Sequence, residues 1–339
     1  MKKNKFFAAI VTTLILFAII RSCSSDPDQD EVRDDPAEQE EIWEPADQAA
    51  DPDLNLKNQL KGKPLVVKKK SELKPEEQKH VKSTVDLNAD SPSVDGRLAF
   101  SKKTKFVHFK IKDGLALVGG DVIIGELSDE QKKEDFKGRL LKQKPERSKL
   151  WPSNQVPVAF AVGFPEALKL EVQKAIKYMN DETVMEFVNA EEGVDEDLVI
   201  FQLREKAPCS SYLGRTGGYQ PIYMNTTCKA QDVLHEMMHA LGFVHEQQRE
   251  DRDDVLKILW ENIDEYFSFN FAILPDSMVH PYQGSVFRLD FKSVMMYPDT
   301  AFANKGKKSM QSLSRAKIEP VSNGLSDIDK KRLEYLYGS

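Results

Sequence analysis

The 339-residue chain carries 48 basic and 55 acidic side chains, a formal net charge of −7, and 40% hydrophobic residues. This length could hold two domains and provides ample material for a core. Aromatic residues do not alternate with basic ones, as they do on many surfaces that bind single-stranded nucleic acids, so we expect no nucleic-acid partner.

The first 23 residues have the layout of an export signal. A lysine-rich start is followed by an apolar run from Phe6 to Ile20, which is the order found in secretory signals. Ile20-Arg21-Ser22-Cys23 resembles a bacterial lipoprotein processing site, in which Cys23 becomes the lipid-bearing first residue. Ordinary cleavage and an uncleaved anchor are the alternatives. We therefore expect an exported protein of the periplasm, outer membrane or cell surface, either secreted or held at the membrane only through a lipid on Cys23.

Two charged segments follow. Residues 24–56 contain thirteen Asp or Glu against one Arg, and so polar a segment cannot bury enough apolar surface to fold. Residues 57–82 are rich in Lys. We interpret residues 24–60 as an acidic, disordered tether.

Residues 83–140 contain strand-like runs from Lys105 to Ile111 and from Leu115 to Ile124, and Ser128 to Leu141 is a polar, helix-like stretch. Inside the second run, two glycines precede Asp121. These glycines either make a simple turn or allow the backbone to approach a cleft closely and deliver Asp121 to a metal.

A basic stretch at 142–149 contains a proline and is suited to proteolytic nicking. Pro221 lies in the last predicted strand, Gly217 to Met224. This favours a position at the edge of a sheet for that strand, because proline cannot donate a hydrogen bond to a neighbouring strand. An edge strand beside a metal-binding helix would hold an extended peptide by strand addition. The predicted elements are a strand at Val156 to Val162, a helix at Glu166 to Asn180, and strands at Leu198 to Leu203 and Gly217 to Met224.

Two cysteines remain if Cys23 is lipidated. Cys209 and Cys228 form an even pair in an exported protein, which predicts a disulfide. Two buried free thiols are the alternative.

Three of the six histidines lie within eleven residues, at His235, His239 and His245. Residues 230–234 include no Gly or Pro, so His235 and His239 are expected on a helix, where residues four apart share a face. Gly242 favours a helix end and lets the chain return with His245. Three imidazoles and one open position are typical of catalytic zinc, and Glu236 is placed to accept a proton from water in that position.

Residues 235–252 resemble the zinc signature of the astacin metalloproteases, a family of the metzincin clan. The resemblance covers residues ~142 to 339. Further matches are the stretch from Cys209 to Arg215 with Cys228, which resembles a family disulfide and its loop, Ser293 to Tyr297, which resembles the Met-turn, and Leu325 to Tyr337, which resembles the closing helix.

The resemblance implies a role for each of four more residues. Met295 would form a hydrophobic floor beneath the histidines, and Tyr297 would stabilise the oxyanion. Glu246 would anchor the new N-terminus, or a water network near it, once a pro-segment is removed. Asp121 would be the aspartate switch that takes the place of the nucleophilic water and silences the zymogen.

The resemblance also implies an α+β fold, in which a twisted, mostly parallel sheet with helices and an irregular C-terminal half flank a cleft with one Zn²⁺. Residues 61–141 would be the pro-segment and residues 142–339 the catalytic domain. The expected activity is hydrolysis of proteins or peptides. The rival interpretations are a catalytically silent zinc protein that holds extended peptides at the cell surface, and a tethered structural protein with a chance motif.

Overall fold

The structure, a computed structural model, describes residues 67–68, 94–100, 105–127, 140–141, 150–191, 193–274 and 287–338. All of them lie in one compact unit, Trp43–Ser339. The predicted signal with Cys23, the acidic tether and the basic stretch at 142–149 lie outside the described residues. None of the helices in the described ranges has the length and apolar character that a membrane crossing requires.

Eleven of the described strands form a single sheet, and two more form a separate pair. The strands are β1 (Val67–Lys68), β2 (Val94–Phe100), β3 (Lys105–Lys112), β4 (Leu115–Val118), β5 (Val122–Glu126), β6 (Leu140–Leu141), β7 (Gln155–Phe160), β8 (Glu186–Asn189), β9 (Leu198–Leu203), β10 (Ser210–Tyr212), β11 (Tyr219–Met224), β12 (Leu256–Ile258) and β13 (Met310–Ser312). The sheet order is β1-β6-β2-β3-β4-β5-β10-β11-β9-β7-β8, and β12 pairs with β13.

The sheet has two parts with different strand directions. Strands β2 to β5 form an antiparallel meander, whereas β11, β9, β7 and β8 run parallel to one another. The short strand β10 joins the two parts, since it pairs antiparallel with β11 and parallel with β5. The N-terminal meander therefore continues the sheet of the C-terminal part.

Three α-helices are described: α1 (Glu166–Glu182), α2 (Ala230–Ala240) and α3 (Asp327–Tyr337). The apolar residues of α1 recur on one face, and that face is buried, as its spacing predicts. Its buried residues are Leu168, Val172, Ala175, Ile176 and Met179. They pack with residues of α2, α3 and the parallel strands in the largest apolar cluster.

The predicted edge strand is wrong, because β11 lies between β10 and β9. The carbonyls of Gly218 and Met224 accept hydrogen bonds from the β9 side. Successive residues of a strand direct their main-chain N–H and C=O groups toward opposite neighbouring strands. The nitrogen of Pro221 therefore points toward β10. The ladder with β10 ends at Ile222, so the proline lies just past the last paired residue and interrupts no hydrogen bond there.

Two smaller predictions also need correction. The run from Leu115 to Ile124 is two strands, β4 and β5, separated by the glycine pair. Within the helix-like stretch from Ser128 to Leu141, residues 128–139 are not described, and Leu140–Leu141 form β6.

From residue 241 to α3, the described chain consists mainly of turns, four 3₁₀ segments and the β12–β13 pair. Together with the mostly parallel sheet and the helices before it, this confirms the predicted α+β class.

Candidate metal centre

Helix α2 carries two of the three predicted metal ligands. Asp232, in its first turn, accepts a hydrogen bond from the Lys229 N–H at 2.8 Å and so occupies a donor that the helix leaves unpaired. His235 and His239 follow on one face, and their ring centroids lie 4.7 Å apart.

Gly242 ends α2 and turns the chain back, as predicted. Its φ of 100° is one that residues with side chains rarely adopt. The Phe243 N–H donates to the Met238 carbonyl at 3.0 Å, which closes the turn. The Phe243 carbonyl accepts a hydrogen bond from Nδ1 of His239 at 2.7 Å. One turn therefore ends the helix, orients a ligand and brings His245 to the site.

Each histidine is oriented by a hydrogen bond from its outer nitrogen, Nδ1, to an oxygen atom. Nδ1 of His235 lies 2.9 Å from the Val294 carbonyl, and Nδ1 of His245 lies 2.9 Å from Oε1 of Gln248. The Phe243 carbonyl serves His239 in the same way. An imidazole that donates through Nδ1 presents the lone pair of Nε2, so all three Nε2 lone pairs face the interior of the site.

Asp121 completes the group. Its Oδ1 lies 3.4 Å from Nε2 of His239 and 3.3 Å from Nε2 of His245, and its Oδ2 lies 3.5 Å from Nε2 of His235. The four potential ligand atoms lie within 4.8 Å of one another.

The glycine pair before Asp121 makes a turn and also allows a close approach to the histidines. Gly119 and Gly120 have φ of 64° and 99° and turn β4 into β5. A Cβ on Gly119 would lie 2.8 Å from Nδ1 of His245 and would also meet Oε1 of Gln248. The absence of side chains therefore allows the turn to press against the histidines.

The donor set fits zinc. Among the described residues, buried atoms without a hydrogen-bond partner include Oδ1 of Asp121, Nε2 of His239 and Oε2 of Glu236. Unpaired buried polar atoms are costly. A cation among three imidazole nitrogens would satisfy the ligand atoms, and nitrogen and carboxylate oxygen are both common zinc donors.

Burial and charge set the protonation of the site. Burial lowers the pKa of His239 to about 4, although Asp121 opposes this shift. Burial also acts to lower the pKa of His235, but Asp121 raises it overall. Burial, and then the charges of Asp121 and Asp232, raise the pKa of Glu236 well above its ordinary value. Burial acts to raise the pKa of Asp121, but the three imidazoles hold it well below its usual range.

Tyr297 borders the site on its other side. Its ring centroid lies 4.8 Å from that of His245, and its hydroxyl donates to the Gly119 carbonyl. Burial, followed by the charges of Asp121 and Glu236, raises the pKa of this hydroxyl well above its ordinary value. It is therefore protonated and able to donate.

Ser293 to Tyr297, the predicted Met-turn, connects the histidines to α3. Met295 is fully buried, and its carbonyl accepts a hydrogen bond from the Glu246 N–H at 2.9 Å. The Val294 N–H donates to Asp329 of α3 at 2.9 Å. This helix therefore fixes the residue whose carbonyl orients His235.

Glu246 makes buried ion pairs in the full chain. Its carboxylate accepts hydrogen bonds from Arg332 at 2.6 and 3.2 Å, from Arg249 at 3.3 Å and from the Asp290 N–H at 2.7 Å. Its role as the anchor of a new N-terminus stays a prediction.

Four residues of the site, Gln248, Val294, Asp329 and Arg332, have no predicted role. Gln248 lies three residues after His245, so the short spacing was the one available signal. The other three contacts join positions far apart in the chain, which no local pattern reveals.

Cys209 and Cys228 form a disulfide with a Cα–Cα distance of 6.2 Å. It ties the start of β10 to the segment that leads into α2. The alternative of two free thiols is wrong.

Residues 143–338 match the model of the peptidase family described as Astacin. The chain belongs to the astacin family.

The curated relatives include two nematode proteins from Caenorhabditis elegans. The zinc metalloproteinase nas-7 is 31% identical over 193 residues, which cover 56% of this chain and 48% of that protein. The zinc metalloproteinase nas-14 is 33% identical over 195 residues, or 56% of this chain and 37% of that protein. The chain spans about half or less of the length of these two relatives.

Among solved structures, the chain is similar to high choriolytic enzyme 1, a hatching enzyme zinc-protease from the medaka fish Oryzias latipes. The identity is 27% and the TM-score is 0.49, and the match covers 57% of this chain and 94% of the other.

Proposed function

We propose that this astacin-family chain is a zinc endopeptidase made as a zymogen. One observation carries the proposal: three Nε2 lone pairs converge on the Asp121 carboxylate, and the buried carboxylate of Glu236 lies on helix α2 with His235 and His239.

His235, His239 and His245 would hold the zinc. When bound, zinc supplies Lewis-acid polarisation of a peptide carbonyl and lowers the pKa of water. The oxygen acceptors on the three Nδ1 atoms keep the rings in the tautomer that a metal requires.

Glu236 would act as the general base. It takes a proton from the attacking water and passes it to the nitrogen of the leaving amine. Burial, the largest cause of its raised pKa, acts in the direction that such a base requires, because a base that must also return the proton cannot be too weak.

Tyr297 would stabilise the oxyanion. In the full chain its hydroxyl donates to the Gly119 carbonyl. Once that turn has left, the same protonated hydroxyl is available to a substrate oxygen, a contact often worth about 3 kcal/mol in the transition state.

Latency would come from residues 61–141, with Asp121 at the position of the nucleophilic water. Strand β5, which begins directly after Asp121, pairs with β10. Within residues 142–339, β10 is one edge of the described sheet and β8 is the other. The departure of β5 would therefore free the β10 edge for an extended peptide substrate.

We also propose that the protein is exported. The disulfide between Cys209 and Cys228 supports an oxidising compartment. Lipid attachment at Cys23 remains a prediction from the sequence.

A fluorogenic peptide assay tests the function. The cut chain, which is cleaved between residues 142 and 149 and separated from the N-terminal segment, should hydrolyse the peptide, lose activity with a chelator and regain it with zinc. The uncut chain should be much less active. Binding of the peptide without turnover by the zinc-loaded, cut chain would instead support a silent peptide-binding protein.

A further inference from the structure

A cage of three aromatic side chains lies on the 3₁₀ segment Glu265–Phe271. We define the cage as Tyr266, Phe267 and Phe269. The ammonium group of Lys110 lies 2.9 Å from the centroid of the Tyr266 ring, 4.7 Å from that of Phe269 and 5.9 Å from that of Phe267. It also donates a hydrogen bond to the Tyr266 carbonyl.

The lysine and the cage come from different parts of the chain. Lys110 is on β3, outside the residues that match the astacin family, whereas the cage is inside them. Lys110 is only 6% exposed, and burial of an ammonium group is costly unless other groups replace its water. Here a carbonyl oxygen and the faces of three rings replace the water around the ammonium group. The cage is therefore suited to a cation.

A series of ring contacts connects the cage to the metal centre. Phe267 lies 5.2 Å from Phe302, and Phe302 lies 5.5 Å from Tyr297, centroid to centroid. Phe302 has a φ of 55°, an uncommon conformation for so bulky a residue and one that is frequent at functional sites.

The cage is accessible even in the full chain. Tyr266 is 43% exposed and Phe267 is 36% exposed. Asp264, whose side chain accepts a hydrogen bond from the Tyr266 N–H at 2.8 Å, adds a negative charge to the same turn. A positively charged side chain is thus favoured over an acidic one.

We propose that the cage is a substrate subsite for a lysine or arginine side chain, which Lys110 fills until the N-terminal segment leaves. This inference rests on the proposed endopeptidase function. Because the rings lie beyond Phe302 from Tyr297, the basic residue would be some residues away from the bond that is cut.

A positional scan tests the subsite. One lysine is moved through an otherwise fixed decapeptide, and each peptide is compared with its norleucine counterpart, which keeps the stem and removes the charge. We expect the cut chain to prefer lysine at one position by about fivefold in kcat/KM. Tyr266→Leu should abolish this preference, and Tyr266→Phe, which keeps the ring, should retain it. Trp260→Leu, a change at an exposed ring outside the cage, should leave it unchanged.

A binding measurement separates this inference from the proposed catalysis. The cut Glu236→Ala chain should bind the preferred lysine peptide about fivefold more tightly than its norleucine counterpart, and Tyr266→Leu should remove the difference. If the cut chain has no activity but shows this difference, the enzyme assignment fails and the subsite stands. Equal binding of the lysine and norleucine peptides at every position would overturn the subsite.

Discussion

The orientation of three imidazole rings decides whether the site binds a metal. His235, His239 and His245 direct their Nε2 atoms inward because each Nδ1 has an oxygen partner. Two of these partners are main-chain carbonyls, and the third is the side chain of Gln248. Loss of such a partner commonly changes metal affinity about 10- to 100-fold. Gln248 is the partner that a mutation removes most directly, because it is the one side chain among the three.

Gln248→Leu should weaken zinc binding by the cut chain by about 10- to 100-fold, because the His245 ring would lose its acceptor. Chelator competition measures the affinity. Gln247→Leu is the matched control, since Gln247 is an equally buried amide whose side chain accepts a hydrogen bond from the Tyr297 N–H rather than from a histidine. Equal affinities in the two variants would contradict the role of Gln248.

At the scale of elements, the site depends on a turn and a helix that lie outside the zinc motif. The β4–β5 turn brings Asp121 to the histidines through two residues without side chains. Helix α3 holds the Met-turn through Asp329 and the Glu246 carboxylate through Arg332. We expect the turn to govern latency and the helix to govern stability.

Gly119→Ala should make the uncut chain about tenfold more active, because left-handed backbone strain of about 1–2 kcal/mol and the collision with His245 and Gln248 both disfavour the seated turn. Peptide hydrolysis before and after cutting measures the effect, and the cut forms of variant and wild type should be equally active. Gly163→Ala has a similar φ of 75° but open space at its Cβ, so its uncut chain should stay latent. An unchanged latent activity in Gly119→Ala would refute this account of the turn.

Arg332→Leu should lower the free energy of unfolding by about 1.5–3 kcal/mol, because the buried Glu246 carboxylate loses both hydrogen bonds from Arg332 and keeps those from Arg249 and the Asp290 N–H. Urea denaturation measures the change. Lys330→Leu breaks the exposed pair with Glu182, 2.6 Å long, and should cost at most about 1 kcal/mol. A similar small loss in both variants would show that the Arg332 pair does not stabilise the fold.

At the scale of the whole molecule, the N-terminal meander and the C-terminal part are joined by more than the metal centre. Arg204, after β9, donates to Asp113 at 2.8 Å and to Glu126 at 2.7 Å. Its guanidinium also lies 4.7 Å from the centroid of Tyr223. With β5–β10 pairing and the Lys110 cage, this makes three contacts that must break before a cut N-terminal segment leaves the rest of the chain.

Asp113→Asn combined with Glu126→Gln should weaken binding of the cut N-terminal segment by at least about tenfold, because Arg204 loses both charged partners. Size-exclusion chromatography of nicked protein shows whether the segment still elutes with residues 150–339. Asp181→Asn, in an exposed pair with Lys177, should have no effect. Retention of the segment by the double variant at every dilution would argue against an electrostatic clamp.

The sequence predicted what depends on local spacing and missed what depends on distant partners. The histidine pair, the turn at Gly242 and the buried face of α1 follow from helix periodicity and from one glycine. Pro221 was misinterpreted because the partners of β11 lie elsewhere in the chain. The Lys110 cage joins residues more than 150 positions apart, so no local pattern predicted it.

The most direct test is a paired measurement of zinc content and proteolysis on the cut chain and on its Glu236→Ala variant. Because the three imidazoles bind the metal without help from Glu236, we expect about one zinc per chain in both proteins. Casein hydrolysis is expected in the wild type alone. A variant that cleaves casein normally, or a wild type that contains no zinc, would contradict the account.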